Sequence, residues 1–313
     1  MKKLDPPYPY AYFEGKVTKL EKAKIPITVK AFQYGQAIFA GIKGYYEPVS
    51  QTVNVFRLQD HYNRMLDAVK IIPFKWNMSY AEFKKIITNL TKKNQVKTNC
   101  YYRPNVYSAD PTIVPTFTRA NDQMSIYMQP LGEYLDTSKG IKVMVSSWLR
   151  TPDNSISVKA KVTGLYVNSS LAKYEATNNG YDDAILMNPD GSVCEGSGAN
   201  IFMVKNKVLY TPPLEANNLA GITRRSILHL AQNELGFETQ ERKFDRSQLY
   251  ASDELFFTGT AAQVSWIKSV DQRLIGNGKL GPMTRKIKDL FFNIVQGRDQ
   301  KYASWLTPIR VSK

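Results

Sequence analysis

The hydrophobic period changes repeatedly along this chain, and that alternation restricts its fold more than any other feature. In "SYAEFKKIITNL", Phe83, Ile86, Ile87 and Leu90 recur at three- and four-residue spacing, the period of a helix with one buried face. Ser79 and Glu82 open it as a capping box, each side chain answering a backbone N–H that has no partner inside the helix. "DHYNRMLDAVKII" repeats the period with Met65, Leu66 and Val69 inward. "TRRSILHLAQNELG" reads as a helix with Thr223 as N-cap and Gly236 at its end. "GPMTRKIKDLFFNIVQG" puts Ile287, Leu290, Phe291 and Ile294 on one face and stops at Gly297. Between the helices lie short runs of strand character: "QMSIYMQP", "IKVMVSSW", "DAILMN", "NIFMVKN", "KVLYTP" and "ELFFTG". "NPDG" at 188–191 reads as a tight turn and "KNK" at 205–207 as a hairpin tip. The mixture predicts the α/β class, with helices and strands interleaved (α+β mixed).

A chain of 313 residues is long enough for two domains. "QPLGEYLDTSKG" supplies Pro, Gly, Ser and Thr between two strand runs. The expected division is a smaller α/β domain over 1–130, a connecting loop over 131–140 and a larger domain over 141–313. No run approaches the ~20 apolar residues that span a bilayer. "MKKLDPPYPYAYFEGK" lacks the apolar core of a signal peptide. The protein is therefore expected in the cytoplasm and away from membranes.

Cys100 and Cys194 are the only cysteines, and His61 and His229 the only histidines. Neither a disulfide framework nor a His/Cys metal site is expected. Both histidines read as helix-packing residues. The net charge of +15 raises nucleic-acid binding, but the lysines are scattered over helix faces without an aromatic or zinc-finger pattern. No nucleic-acid partner is expected; such a surface equally suits anionic small molecules.

Four features of the second half could carry chemistry. Lys159 and Lys161 sit in "SISVKAKVTGLY", among small and apolar residues. A desolvated lysine readily becomes the neutral amine that imine chemistry needs. On composition alone, however, both read equally well as solvated charges on a strand edge. Glu195 in "CEGSGANIF" could hold a cationic ring nitrogen, or lie exposed in a Gly-rich turn. Gly221, Ile222 and Thr223 in "LAGITRRSI" could offer N–H groups to an anion, or form an ordinary helix start. Thr258, Gly259 and Thr260 in "FFTGTAAQV" could floor a pocket, or mark a bulge.

Taken in order, these features resemble the fold-type IV pyridoxal-phosphate enzymes, and within them the branched-chain amino acid aminotransferases. The resemblance runs from "FQYGQAIFAGIKGYY" through "VFRLQDHYNRM", "YYRP", "AKVTGLYVNSSLAKYEA", "GYDDAILMNPDGSVCEGSGANIF", "TPP", "GITRRSI" and "ASDELFFTGTAAQ" to "WLTPI". It implies two domains with the active site in the cleft between them. The family frame A-K-x-x-G-x-Y falls on Ala160, Lys161, Gly164 and Tyr166, so Lys161 is the implied Schiff-base and catalytic lysine. Arg64, Ile222, Thr223 and Thr260 resemble the grip on the cofactor phosphate. Glu195 resembles the partner of the pyridine nitrogen, with Asn200 bracing it, and Tyr166 the partner of the ring's phenolic oxygen. Leu219, Gly221 and Gly259 complete the cofactor set. Tyr34, Phe39, Tyr101, Arg103 and Tyr134 resemble the substrate pocket, and the Thr260 and Ala261 amides the grip on the α-carboxylate.

The resemblance implies ping-pong transfer from L-leucine, L-isoleucine or L-valine to 2-oxoglutarate, in a dimer or larger homo-oligomer. Fold relatives acting on D-amino acids or (R)-amines, or cleaving aminodeoxychorismate, would keep the same cofactor residues. Ala40 and Lys43 in "FAGIK" replace a family acid and arginine, and Leu131 stands where some members have tryptophan; these bear on the substrate profile. The segment 104–122 is expected to shape the pocket entrance. Because residues i and i+2 of a regular strand share a face, a single catalytic lysine predicts irregular backbone at 159–161, or else a second charge beside Lys161.

Overall fold

The computed structural model describes residues 5–132 and 138–311. The chain divides into two compact units. One comprises the chain up to Gly132, Ala160–Gly164 and the chain from Asn293 on; the other comprises Glu133–Lys159 and Leu165–Phe292. Neither is a continuous stretch, which a cut of the sequence at 131–140 into two consecutive pieces does not foresee.

The first unit is built on an antiparallel sheet. Its strand order is Leu306–Arg310, Thr52–Phe56, Ile42–Glu47, Cys100–Ser108, Asp122–Pro130, Tyr10–Phe13, Lys16–Lys19, with Ala37–Phe39 also paired to Cys100–Ser108. The long pair Cys100–Ser108 and Asp122–Pro130 stays in register over nine residues. Cys100–Ser108 alternates buried and half-buried residues through Val106, the signature of a sheet with one covered face. Helix Leu58–Ile71 buries Met65 and Val69, with Leu66 at the margin. Helix Tyr80–Lys93 buries Phe83, Ile87 and Leu90 and is capped by the Ser79–Glu82 box. His61 is buried in its helix, whereas His229 lies on the solvent side of Ile222–Asn233, against the packing role expected for it. That helix already turns its apolar positions Ile227, Leu230 and Ala231 inward.

The second unit holds a mixed sheet, ordered Val193–Gly196, Asp183–Met187, Ile141–Leu149, Gln263–Val270, Glu254–Gly259, Asn200–Lys205, Val208–Thr211, Thr239–Glu241. All five residues of Asp183–Met187 are buried. Ala184 and Leu186 pack on Ala172 and Ala176 of helix Tyr166–Asn178, while Ile185 and Met187 face the main core with Ile201, Phe257 and Ile267. Burial on both faces explains why "DAILM" is a continuous apolar run rather than an alternating one. The expected hairpin tip forms: Lys205 pairs Val208, and Asn206 and Lys207 take φ 51° and 64°, the signs of a two-residue type I′ turn.

One local expectation changes and another is met. Helix Ile222–Asn233 is entered from Gly221, not Thr223, which sits buried in the first turn. A Cβ on Gly221 would lie 2.0 Å from Asn200 Oδ1, so only glycine admits that side chain. Around the lysine pair the chain is not a strand. Val158–Ala160 forms one 3₁₀ turn and Lys161 takes φ 52°, the irregular backbone that is one of the two outcomes expected at 159–161.

Candidate active site

In the first unit, Lys161 is fixed by its backbone. Its carbonyl accepts from the Phe39 N–H at 3.1 Å, and the Thr163 N–H donates to the Ala37 carbonyl at 2.8 Å. The Thr163 hydroxyl adds bonds to the Gly35 and Ala37 carbonyls. The segment 160–164 is thereby stitched onto the end of Ala37–Phe39. Gly35, at φ 64°, permits this: a Cβ there would meet Gly164 Cα at 2.7 Å. The Lys161 ammonium lies 4.8 Å from the centroid of the Phe39 ring.

Phe39 also serves a second cation. Arg103 stacks on it at 4.4 Å and on Tyr101 at 5.2 Å, and donates to the Tyr101 hydroxyl at 3.3 Å. Desolvation raises the Tyr101 phenol above its usual range, opposed by the nearby Arg103 and Arg64 charges. Gly41 makes room for that hydroxyl, since a Cβ there would stand 1.8 Å from it. Arg64 is half-buried on helix Leu58–Ile71. Lys161, Phe39, Arg103 and Tyr101 thus form one cluster of amine, aromatic walls and guanidinium.

Tyr34 is 42% exposed and its hydroxyl donates to the Ile113 carbonyl in the segment that follows Cys100–Ser108. The same segment is held by the buried Lys30 ammonium on the Thr116 carbonyl at 2.7 Å. Of 104–122, residues 104–108 belong to the sheet and Asp122 opens the next strand. Ala40, Lys43 and Leu131 are all buried; Lys43 donates to the Gly132 carbonyl at 2.9 Å. Tyr134 lies outside the described residues.

In the second unit the centre is Glu195, 4% exposed on Val193–Gly196. Its Oε2 accepts from Asn200 Nδ2 at 3.1 Å and from the Leu219 N–H at 3.2 Å. Asn200 also donates to the Leu219 carbonyl at 2.9 Å, locking the two residues together. Glu195 Oε1 is paired with Arg150 at 2.9 Å, both side chains 5% exposed. Arg150 was not legible as a site residue: "SWLRTPD" looks like a polar strand end, and only the neighbouring strands bring it to Glu195. Beside Glu195, burial pushes the Cys194 thiol well above its ordinary range.

Asn200 meets Gly221 at the start of Ile222–Asn233. Ile222 and Thr223 are buried there, and no side chain among the described residues caps the helix. A helix start with buried, uncapped N–H groups is a donor set for an anion, and a phosphate ester fits it. A buried anionic carboxylate close along the fold fits a protonated pyridine nitrogen. Gly259 ends its strand, Thr260 and Ala261 form the half-buried turn to Gln263, and the Thr258 hydroxyl is buried with no protein partner among the described residues. Tyr166 is the first, half-buried residue of Tyr166–Asn178. The residues present therefore fit pyridoxal phosphate.

Comparison with known proteins points the same way. A family model described as "Amino-transferase class IV" matches residues 49–270. A probable branched-chain-amino-acid aminotransferase of Aquifex aeolicus is 43% identical over 300 residues, spanning 96% of each chain. The branched-chain-amino-acid aminotransferase of Escherichia coli K12 is 36% identical, over 96% of this chain and 97% of that one. The crystal structure of the Thermoproteus uzoniensis branched-chain aminotransferase with norvaline aligns with a TM-score of 0.92 at 37% identity, covering 97% of this chain and 99% of that chain.

Proposed function

The chain belongs to the class IV aminotransferases, and on that premise we propose that it transfers the amino group of L-leucine, L-isoleucine and L-valine to 2-oxoglutarate, giving 2-oxo acids and L-glutamate with pyridoxal phosphate. The observation that carries the reading is the pairing, in one unit, of a buried carboxylate at Glu195 with a buried, uncapped helix start at Ile222 and Thr223. These are the two poles that a pyridinium ring and its phosphate require. The relatives' names support the substrate class.

When bound, pyridoxal phosphate supplies an aldehyde that exchanges with amines and a ring that accepts an electron pair from the substrate Cα. The chain's residues do the rest. Lys161 holds the cofactor and takes up the proton leaving Cα through its Nζ, then returns it. Glu195 keeps the ring nitrogen protonated, held in place by Asn200 and Leu219. Tyr166 bonds the ring's phenolic oxygen. Arg64 joins the Ile222, Thr223 and Thr260 donors around the phosphate, with Gly221 and Gly259 allowing close approach. The Thr260 and Ala261 amides take the α-carboxylate with Tyr101. Arg103, with Tyr34 and Tyr134, takes the distal carboxylate of glutamate, and Phe39 and Tyr101 wall the branched chain. The enzyme works as a homo-oligomer in the cytoplasm. Among the described residues no helix is long and apolar enough to cross a membrane.

Borohydride reduction followed by peptide mapping tests the assignment. Label on the peptide at Lys161 is expected; label on Lys159, or on neither, refutes it. With 2-oxoglutarate as acceptor, L-leucine is expected to turn over and D-alanine not. The reverse preference would move the chain to a D-amino acid reading of the same fold.

A further inference from the structure

Arg150 lies outside every residue set that the resemblance supplies, yet it is among the most buried charges of the second unit. Its guanidinium is 5% exposed, donates to Glu195 Oε1 at 2.9 Å and gives a second bond to Ser169 Oγ at 3.1 Å. Ser169 is on helix Tyr166–Asn178, whose first residue is Tyr166. One guanidinium thus ties the strand carrying Glu195 to the helix carrying Tyr166. The Arg150 Nε has no protein partner among the described residues, so a buried cation is held here with part of its donor capacity unused. Such an arrangement is costly unless its charge is needed.

We propose that Arg150 is a positioning residue that keeps Glu195 ionised and fixed in direction before the cofactor arrives, so that the site takes up a ring already carrying its nitrogen proton. This rests on Glu195 being the ring-nitrogen partner. The physical reason is the state of the empty site. Without Arg150, Glu195 would be a buried carboxylate that keeps its bonds from Asn200 and Leu219 but loses the guanidinium 2.9 Å away. Burial with that positive charge removed shifts the balance toward the protonated acid. A protonated Glu195 must lose its proton when a protonated ring binds. The countercharge removes that competition, and the bond to Ser169 fixes the angle at which the carboxylate faces the ring.

The test uses the cofactor-free protein and pyridoxamine 5′-phosphate, which binds without a covalent bond to Lys161. Its Kd is measured by calorimetry between pH 8 and pH 6 for wild type, Arg150→Gln and Arg150→Lys. Gln keeps hydrogen-bond donors without the charge; Lys keeps the charge. Taking each variant's Kd relative to wild type at each pH cancels the titration of the ligand's own phosphate. Linkage gives the sign: where Glu195 is protonated in the free protein, binding releases a proton, so affinity falls as pH falls. For Arg150→Gln the relative Kd is expected to rise on acidification, approaching tenfold per pH unit below the raised Glu195 pKa. Arg150→Lys is expected to stay parallel to wild type. Arg150→Gln/Glu195→Gln is expected to lose the slope, because no carboxyl remains to titrate. A pH-independent loss in Arg150→Gln means the residue only packs, and overturns the proposal. If Glu195→Gln alone binds as wild type does at every pH, the ring-nitrogen reading of Glu195 fails first. If Glu195→Gln weakens binding while Arg150→Gln runs parallel to wild type, that reading stands and the Arg150 proposal alone fails.

Discussion

Single residues decide the chemistry, and they differ in how far sequence reveals them. Lys159 and Lys161 are alike in composition; only the spacing to Gly164 and Tyr166 separates them. The backbone supplies the physical distinction, a 3₁₀ turn at one and φ 52° at the other. Lys161→Ala is expected to reduce kcat by about 10³-fold or more, from loss of proton transfer alone, with an unchanged circular dichroism spectrum. Substantial activity in that variant would remove Lys161 from the mechanism. Gly221 carries a second prediction. Alanine there would drive its Cβ to 2.0 Å from Asn200 Oδ1 and dislodge the residue that supports Glu195. The loss of a hydrogen bond to a charged group weakens cofactor binding about tenfold, or about 1.4 kcal/mol. Gly198→Ala, with nothing within 4 Å of the added carbon, is the control and should bind normally.

Elements are set by caps and by which faces they cover. The Ser79–Glu82 box was readable because both partners lie within one turn. The Ser79 N–H and hydroxyl hold the Glu82 carboxyl below its ordinary range. A depressed folded-state pKa contributes stability that is present above the ordinary carboxylate pKa and lost as pH falls through the lowered one. The stability gap between wild type and Glu82→Gln should therefore be visible at neutral pH and close in acid; a gap constant with pH contradicts the cap. The cap of Pro282–Val295 was not readable, because its acceptor comes from a distant strand. Glu254 accepts from the Met283 N–H at 3.0 Å, the Thr284 N–H at 2.7 Å and the Thr284 hydroxyl at 2.6 Å. Gly281 leaves it space, since a Cβ there would meet Glu254 Cδ at 2.0 Å. Glu254→Ala should cost about 2 kcal/mol in denaturant unfolding, and Glu254→Gln less, since one acceptor oxygen remains.

At the scale of the whole molecule, the two cysteines report on integrity. Burial pushes the Cys100 thiol up to about 12, and Cys194 is raised likewise. The native protein should give no fast reaction with a thiol reagent at neutral pH and two equivalents once denatured. A single fast thiol in the native state would mean that one unit opens readily.

The sequence by itself determined the element types, the caps and turns formed within one turn of chain, and the mixed α/β class, because these depend on neighbours a few residues apart. It also carried the order of family motifs on which the reading of Lys161 and Glu195 rests. Only the tertiary structure decided that Ala160–Gly164 leaves its flanks to join Ala37–Phe39, that the helix start at Ile222 is buried and uncapped, and that Arg150 faces Glu195. Each of these depends on strands distant in sequence lying side by side, and a buried charge declares its partner only when both have been brought out of water.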